Sequence, residues 1–163
     1  MMTTNEKREL ERFIQERRAE STDGTTVFVT KIDSDDDDIL KLENGGIIEI
    51  TRGNLGYVGY RKNAYLYLKR GNCQIAIEGK RTFQCEVIKE PNDRGKPAKQ
   101  LQVTDVKGNG SILKMMNGEI YEVSSMDQMT SSMWLGFFDA LLVDGDQLIN
   151  LNSGESVYVE KVR

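Results

Sequence analysis

Two stretches decide how this chain is read: ILKLENGGIIEI at Ile39–Ile50 and ILKMMNGEIYEV at Ile112–Val123. Seven of their twelve positions are identical at one constant offset. Working outward, VTKID at Val29–Asp33 answers VTDVK at Val103–Lys107, and Val58-Gly59-Tyr60 answers Leu135-Gly136-Phe137. Ala64-Tyr65-Leu66-Tyr67 answers Ala140-Leu141-Leu142-Val143, and the closing CEVIK and VEKVR align after small gaps. Matches that keep their order along such a length point to an internal duplication, with modules at 25–90 and 99–163.

Each module reads as β throughout. In the second, strands are expected at 101–107, 111–116, 119–124, 140–144, 147–151 and 156–162. Gly108-Asn109-Gly110, Asn117-Gly118, Asp144-Gly145-Asp146 and Asn152-Ser153-Gly154 stand between them. Such residues tolerate positive φ and suit tight hairpins. Asn44-Gly45-Gly46 plays the same part in the first module. Five or six short strands per module suit a small barrel of the SH3-like kind, and so small a core favours two modules packing together. The expected fold is therefore all-β, two tandem SH3-like barrels preceded by a helix over roughly Asn5 to Glu20 in an N-terminal segment, 1–24. Thr3 and Glu6 have capping-box spacing there, and Leu10, Phe13 and Ile14 form a narrow apolar side for docking. Residues 91–98, within EPNDRGKPAK, read as a linker.

Composition excludes several chemistries. The chain has 163 residues, a net charge of −4, two cysteines and no histidine. Imidazole acid–base catalysis, Ser-His-Asp triads and His-ligated metals are thereby ruled out. Two cysteines make neither a disulfide-rich scaffold nor a four-cysteine zinc site. A two-residue turn at Gly79-Lys80 would pair Cys73 with Glu86, one place from Cys85, so buried reduced thiols are expected. No nucleophile elbow, phosphate-binding loop, dinucleotide fingerprint or CxxC stands in the sequence. Glu49 and Glu122 recur in both modules but alternate with Ile47, Ile50, Ile120 and Val123, as outward strand positions do. Asp35–Asp38 reads as a solvated acidic turn. No enzyme activity, cofactor or metal is expected. The charged first twenty residues lack a signal-peptide core and no run is long enough for a membrane helix, so a cytoplasmic protein is expected.

Charge and aromatic residues are unevenly spread. The middle third is basic, and both outer thirds are acidic. Segment 52–81 interleaves Arg52, Arg61, Lys62, Lys69, Arg70, Lys80 and Arg81 with four tyrosines, and Phe83 follows just after it, a pattern that suits RNA or single-stranded DNA. Against that, Tyr65 and Tyr67 align with Leu141 and Val143, and Tyr60 with Phe137, as interior positions. Tyr57 aligns with Trp134. Five methionines crowd between Met115 and Met133, and Met126, Met129, Met133 and Trp134 could line one side of a short helix closing the barrel. Loops on a rigid sheet are where small barrels bind. The expected binding residues are therefore Tyr57, Arg61 and Lys62 in one module, and Met126, Met129 and Trp134 in the other. The expected role is non-catalytic binding or scaffolding, through a protein partner or self-association, with nucleic acid as the alternative.

The second module also resembles a small β-domain of uncharacterised bacterial proteins. The resemblance rests on Asn117-Gly118, Glu122-Val123, Trp134-Leu135, Leu148-Ile149-Asn150-Leu151 and Gly154-Glu155. It implies a bacterial origin and a β-barrel fold, and brings no activity with it. The first module departs from it, with Tyr57 where the domain has Trp.

Overall fold

A computed structural model describes residues 24–163. The helix expected at Asn5–Glu20 lies outside the described residues. Twelve strands run in order: β1 (Thr25–Asp36), β2 (Ile39–Leu42), β3 (Ile47–Arg52), β4 (Asn63–Lys69), β5 (Asn72–Ile77), β6 (Thr82–Lys89), β7 (Lys96–Lys107), β8 (Ile112–Met115), β9 (Ile120–Val123), β10 (Phe138–Val143), β11 (Gln147–Asn150) and β12 (Ser156–Lys161). The one α-helix among the described residues is α1 (Gln128–Ser132), entered through a 3₁₀ turn at Ser125–Asp127.

The first six strands close into a barrel. Antiparallel pairing runs β1–β2–β3–β6–β5–β4 and returns to β1, which pairs with β4 from Thr26↔Leu68 to Lys31↔Asn63. The same pairing order recurs in β7–β12, where β10 returns to β7 from Phe138↔Val103 to Val143↔Ala98. Closure leaves no open sheet edge around either ring, which removes the hazard of unpaired strand edges. The short strands form by alternation: in ILKL, Leu40 and Leu42 point inward while Ile39 and Lys41 point out. Each ring has its own core. Ile32, Leu40, Ile48, Leu66, Ile75 and Phe83 are among the residues filling the first. Leu113, Tyr121, Val123, Trp134, Leu148 and Val157 are among those filling the second. Fully burying side chains of this kind contributes about 1.5–3 kcal/mol each.

A third core lies between the halves. Tyr65, Tyr67, Ala76, Leu141, Val143 and Ile149 are among its members, and they project from the outer sides of β4, β5, β10 and β11. This explains why AYLYL and ALLV are continuous apolar runs: one face looks into a ring and the other into the seam. The sequence reading of Tyr65 and Tyr67 as interior therefore holds, but the interior they occupy is the seam. Tyr65 Oη lies 2.8 Å from Ser156 Oγ, and Thr82 Oγ1–H donates to the Leu151 carbonyl at 2.6 Å. At one end the turns meet: Gly79 N–H donates to Ser153 O at 2.8 Å. Beside it Gly154 sits at φ +71°, where an added Cβ would stand 2.0 Å from Ile77 O.

The pairing corrects two details of the sequence reading. Ile32 faces Leu42 and Val103 faces Met115, each just before a register shift, so Ile32 rather than Val29 is the counterpart of Val103. The repeated letters VT misled because β1 and β7 are slid by three residues relative to them. The second correction concerns the cysteines. Five residues, Ile77–Arg81, separate the Ala76↔Thr82 pair, so the register moves by one and Cys73 faces Cys85 directly. Their Cα atoms are 5.3 Å apart and the two sulfurs are joined in a disulfide. Free, reduced thiols were expected only because a two-residue turn was assumed. Within the stretch read as a linker, β7 begins at Lys96, and Thr25↔Ala98 pairs β1 with β7.

Candidate binding loops

Two long loops occupy the same place in the two halves: 53–62 joins β3 to β4, and 124–137 joins β9 to β10. Each works partly as a plug. Leu55 and Val58 turn into the first core. In the second half Ser131 and Trp134 turn inward, Trp134 being only 6% exposed. Trp134 stacks edge-on against Phe138, with ring centroids 5.4 Å apart, and its Nε1–H donates to Glu155 Oε1 at 3.1 Å. Ser131 Oγ–H donates to Gly110 O at 2.5 Å, which fastens α1 down. Gly110 cannot be replaced cheaply there, since it is at φ +90° and an added Cβ would lie 2.4 Å from Ser132 N.

Trp134 is therefore not a surface contact, correcting its place among the expected binding residues. The equivalence of Ala64 and Ala140, which face Thr30 and Leu101, makes buried Val58 the counterpart of Trp134. Tyr57 instead is 88% exposed. Tyr60 is exposed too, as is Phe137, so neither fills the hydrophobic slot expected of them. The other expected residues divide. Met126 and Met129 are exposed on the second loop. Arg61 is exposed, but its Nε–H donates to Glu43 Oε1 at 2.9 Å. Lys62 is half-buried beside Gly59.

Sequence reasoning missed Met116, Leu135 and Phe137, all exposed and apolar. The sequence reading takes Phe137 as an ordinary hydrophobic slot and sets Tyr60 aside because Tyr60 aligns with it. The counterpart of Phe137 is Arg61, three residues before Ala64 as Phe137 is before Ala140. In the same way Glu43 and Met116 correspond, since each donates its backbone N–H to β1 or β7, at Lys31 O and Gln102 O respectively. An ion pair in the first half thus stands where the second half has two exposed apolar side chains. Met126, Met129, Met133 and Leu135 are exposed as well, all four on the second loop, whereas the large exposed hydrophobic side chains of the first loop are Tyr57 and Tyr60.

The basic segment is dispersed by the fold. Tyr65, Tyr67 and Phe83 are buried, Arg81 lies over the Phe83 ring at 5.3 Å, and Lys80 Nζ–H donates to Leu55 O at 2.9 Å. Burial pushes the Tyr65 hydroxyl up and that of Tyr67 to about 12. Glu49 and Glu122 are exposed, as their alternation requires, and each faces a second glutamate across the strand pair, Glu86 and Glu160. Glu122 and Glu160 line a groove of about 420 Å³ with Ser124, Ser125, Gln128 and Tyr158, adjoining the second loop. Asp35–Asp38 forms an exposed hairpin tip.

One partly buried network is structural. Glu119 accepts hydrogen bonds from Tyr121 Oη at 2.5 Å and Asn117 Nδ2 at 2.6 Å, with Lys99 Nζ at 3.4 Å. Partial burial by itself would raise its pKa, but these donors together hold it below the ordinary value. Burial, reinforced by this same carboxylate, pushes the Tyr121 hydroxyl well above its ordinary value.

The fold and loops define an all-β protein with a closed six-stranded barrel and six further strands. Comparison with known protein families, curated proteins and solved structures finds no match. No helix among the described residues is long and apolar enough to cross a membrane.

Proposed function

We propose that this is a non-catalytic binding or scaffold protein built from two copies of one SH3-like small barrel, and that the loops 53–62 and 124–137 form its binding surface. The observation that carries the reading is the set of exposed apolar side chains on the second loop, Met129 at 83% and Leu135 at 87% among them. Large apolar side chains concentrated on one exposed loop are the kind of surface that interaction sites use. Methionine suits the role because its flexible thioether adapts to a partner. The shared pairing order and the Ala64/Ala140 equivalence support duplication, and the differing loops support divergence in what each copy contacts. The bacterial origin implied by the resemblance belongs to the same proposal. A cytoplasmic location was expected from the charged N-terminal residues, whereas the Cys73–Cys85 disulfide favours an oxidising compartment.

The test is binding by the parent and by Met129→Glu/Leu135→Glu, a variant confined to exposed positions. A partner identified from the parent and then purified should bind the parent and lose at least about tenfold in affinity for the variant, the scale of a buried interface anchor. Equal binding to both would contradict the reading. Exposed Tyr57 and Tyr60, on the loop that follows exposed Arg52, support a second reading, single-stranded nucleic acid. Fluorescence anisotropy with labelled RNA and DNA at low and high salt decides it, because phosphate contacts release counterions and fade with salt.

A further inference from the structure

Six large side chains of the second half are exposed among the described residues: Met116, Met126, Met129, Met133, Leu135 and Phe137. Each is more than half exposed, and four of them, Met126, Met129, Met133 and Leu135, fall on the single loop 124–137, so one partner could desolvate several large apolar side chains there. The first half differs in kind. Its loop offers exposed Tyr57 and Tyr60, with cationic Arg52 and Lys62 close by in sequence. The two surfaces match chemically. Thioethers pack favourably on aromatic rings, and the groove adjoining the methionine loop carries Glu122 and Glu160, opposite in sign to Arg52 and Lys62.

Their placement lets the match be used twice. Loop 53–62 is tied to the β5–β6 turn through Lys80 Nζ and Leu55 O at 2.9 Å. Loop 124–137 is tied to the β11–β12 turn through Trp134 and Glu155. Those two turns are joined to each other at Gly79 and Ser153. The loops therefore flank one pair of turns, on the two sides of the seam.

We propose that the surface is covered by a second copy of this chain. A two-fold axis passing by the paired turns sets the tyrosine loop of one copy on the methionine loop of the other, and the same contact forms again on the far side. This inference rests on the reading that these loops are the binding surface, and it names their partner.

Sedimentation velocity on the full chain, from low micromolar to near-millimolar concentration, tests it. The parent is expected to form a dimer whose dissociation constant rises with salt. Met129→Glu/Leu135→Glu should raise that constant at least about tenfold. Arg52→Glu/Lys62→Glu should weaken the dimer similarly, and adding Glu122→Lys/Glu160→Lys to it should restore most of the loss, since the charges are then exchanged rather than removed. Thermal unfolding of each variant checks that it folds. A monomer at every concentration overturns the inference while leaving the binding reading to be judged with other partners. A dimer indifferent to Arg52→Glu/Lys62→Glu also overturns it, because the tyrosine loop would then lie outside the interface.

Discussion

Arg61 and Phe137 occupy the same place, three residues before Ala64 and Ala140, and both are held at positive φ, 51° and 78°. That region costs a side-chain-bearing residue about 1–2 kcal/mol. A strained conformation kept in both halves, with an ion-paired arginine in one and a 63%-exposed phenylalanine in the other, fixes the angle at which each loop enters its strand. The backbone is shared, and the chemistry displayed on it is not.

Phe137→Gly follows from this relationship. Glycine relieves the strain and little burial is lost, so stability should stay level or rise by up to about 1 kcal/mol. Binding at the second loop should fall. Thermal unfolding beside the sedimentation experiment checks both, and a large drop in stability would show that Phe137 is buried in the free protein.

Cys73 and Cys85 are separated by 12 residues and joined across β5 and β6. Closing a loop of that order restricts the unfolded chain and contributes about 2–3 kcal/mol. Reduction, or Cys73→Ala/Cys85→Ala, should lower the denaturation midpoint accordingly. Mass measurement before and after alkylation without reductant should show no free thiol.

Gly154→Ala should separate the halves at one end. The added methyl would meet the Ile77 backbone, which cannot step aside as a side chain would, and the positive φ adds its own strain. A loss above about 2 kcal/mol is expected, in line with other overpacked buried sites. Faster proteolysis between β6 and β7 would show that the seam has loosened. Unchanged stability would mean that the turns do not touch.

Glu119 makes the second half acid-sensitive. Its folded pKa lies below the unfolded value, so its contribution is fully present above the unfolded pKa and is lost as pH falls through the folded one. Glu119→Gln should be less stable than the parent at neutral pH, and the difference should shrink in acid. A difference independent of pH would mean that the carboxylate's charge plays no part.

Much of the fold was legible because barrels this small have few ways to satisfy an alternating pattern. The Asn-Gly and Asp-Gly turns placed the second-half strands within a few residues, with β7 beginning earlier than expected. Outward Glu49 and Glu122 followed from alternation alone. Register was less legible. A five-residue connection between Ala76 and Thr82 looks in sequence like a tight turn, and that single residue decided whether Cys73 met Cys85. The seam was legible only as continuous apolar runs in β4 and β10, which fit a strand buried on both faces as well as one buried in a barrel. The binding loops were the hardest. Buried Trp134 and exposed Phe137 are both large aromatics in a variable loop, and only the Ala64/Ala140 register shows which one turns inward.

The most direct test of the central claim, that the methionine-lined loop is an interface, is a methyl spectrum of methionine-labelled protein recorded over a concentration series. Met126, Met129 and Met133 should shift or broaden as the protein is concentrated, while buried Met115 stays fixed. Signals from all of them unchanged across the range would contradict the claim that a second copy covers this surface.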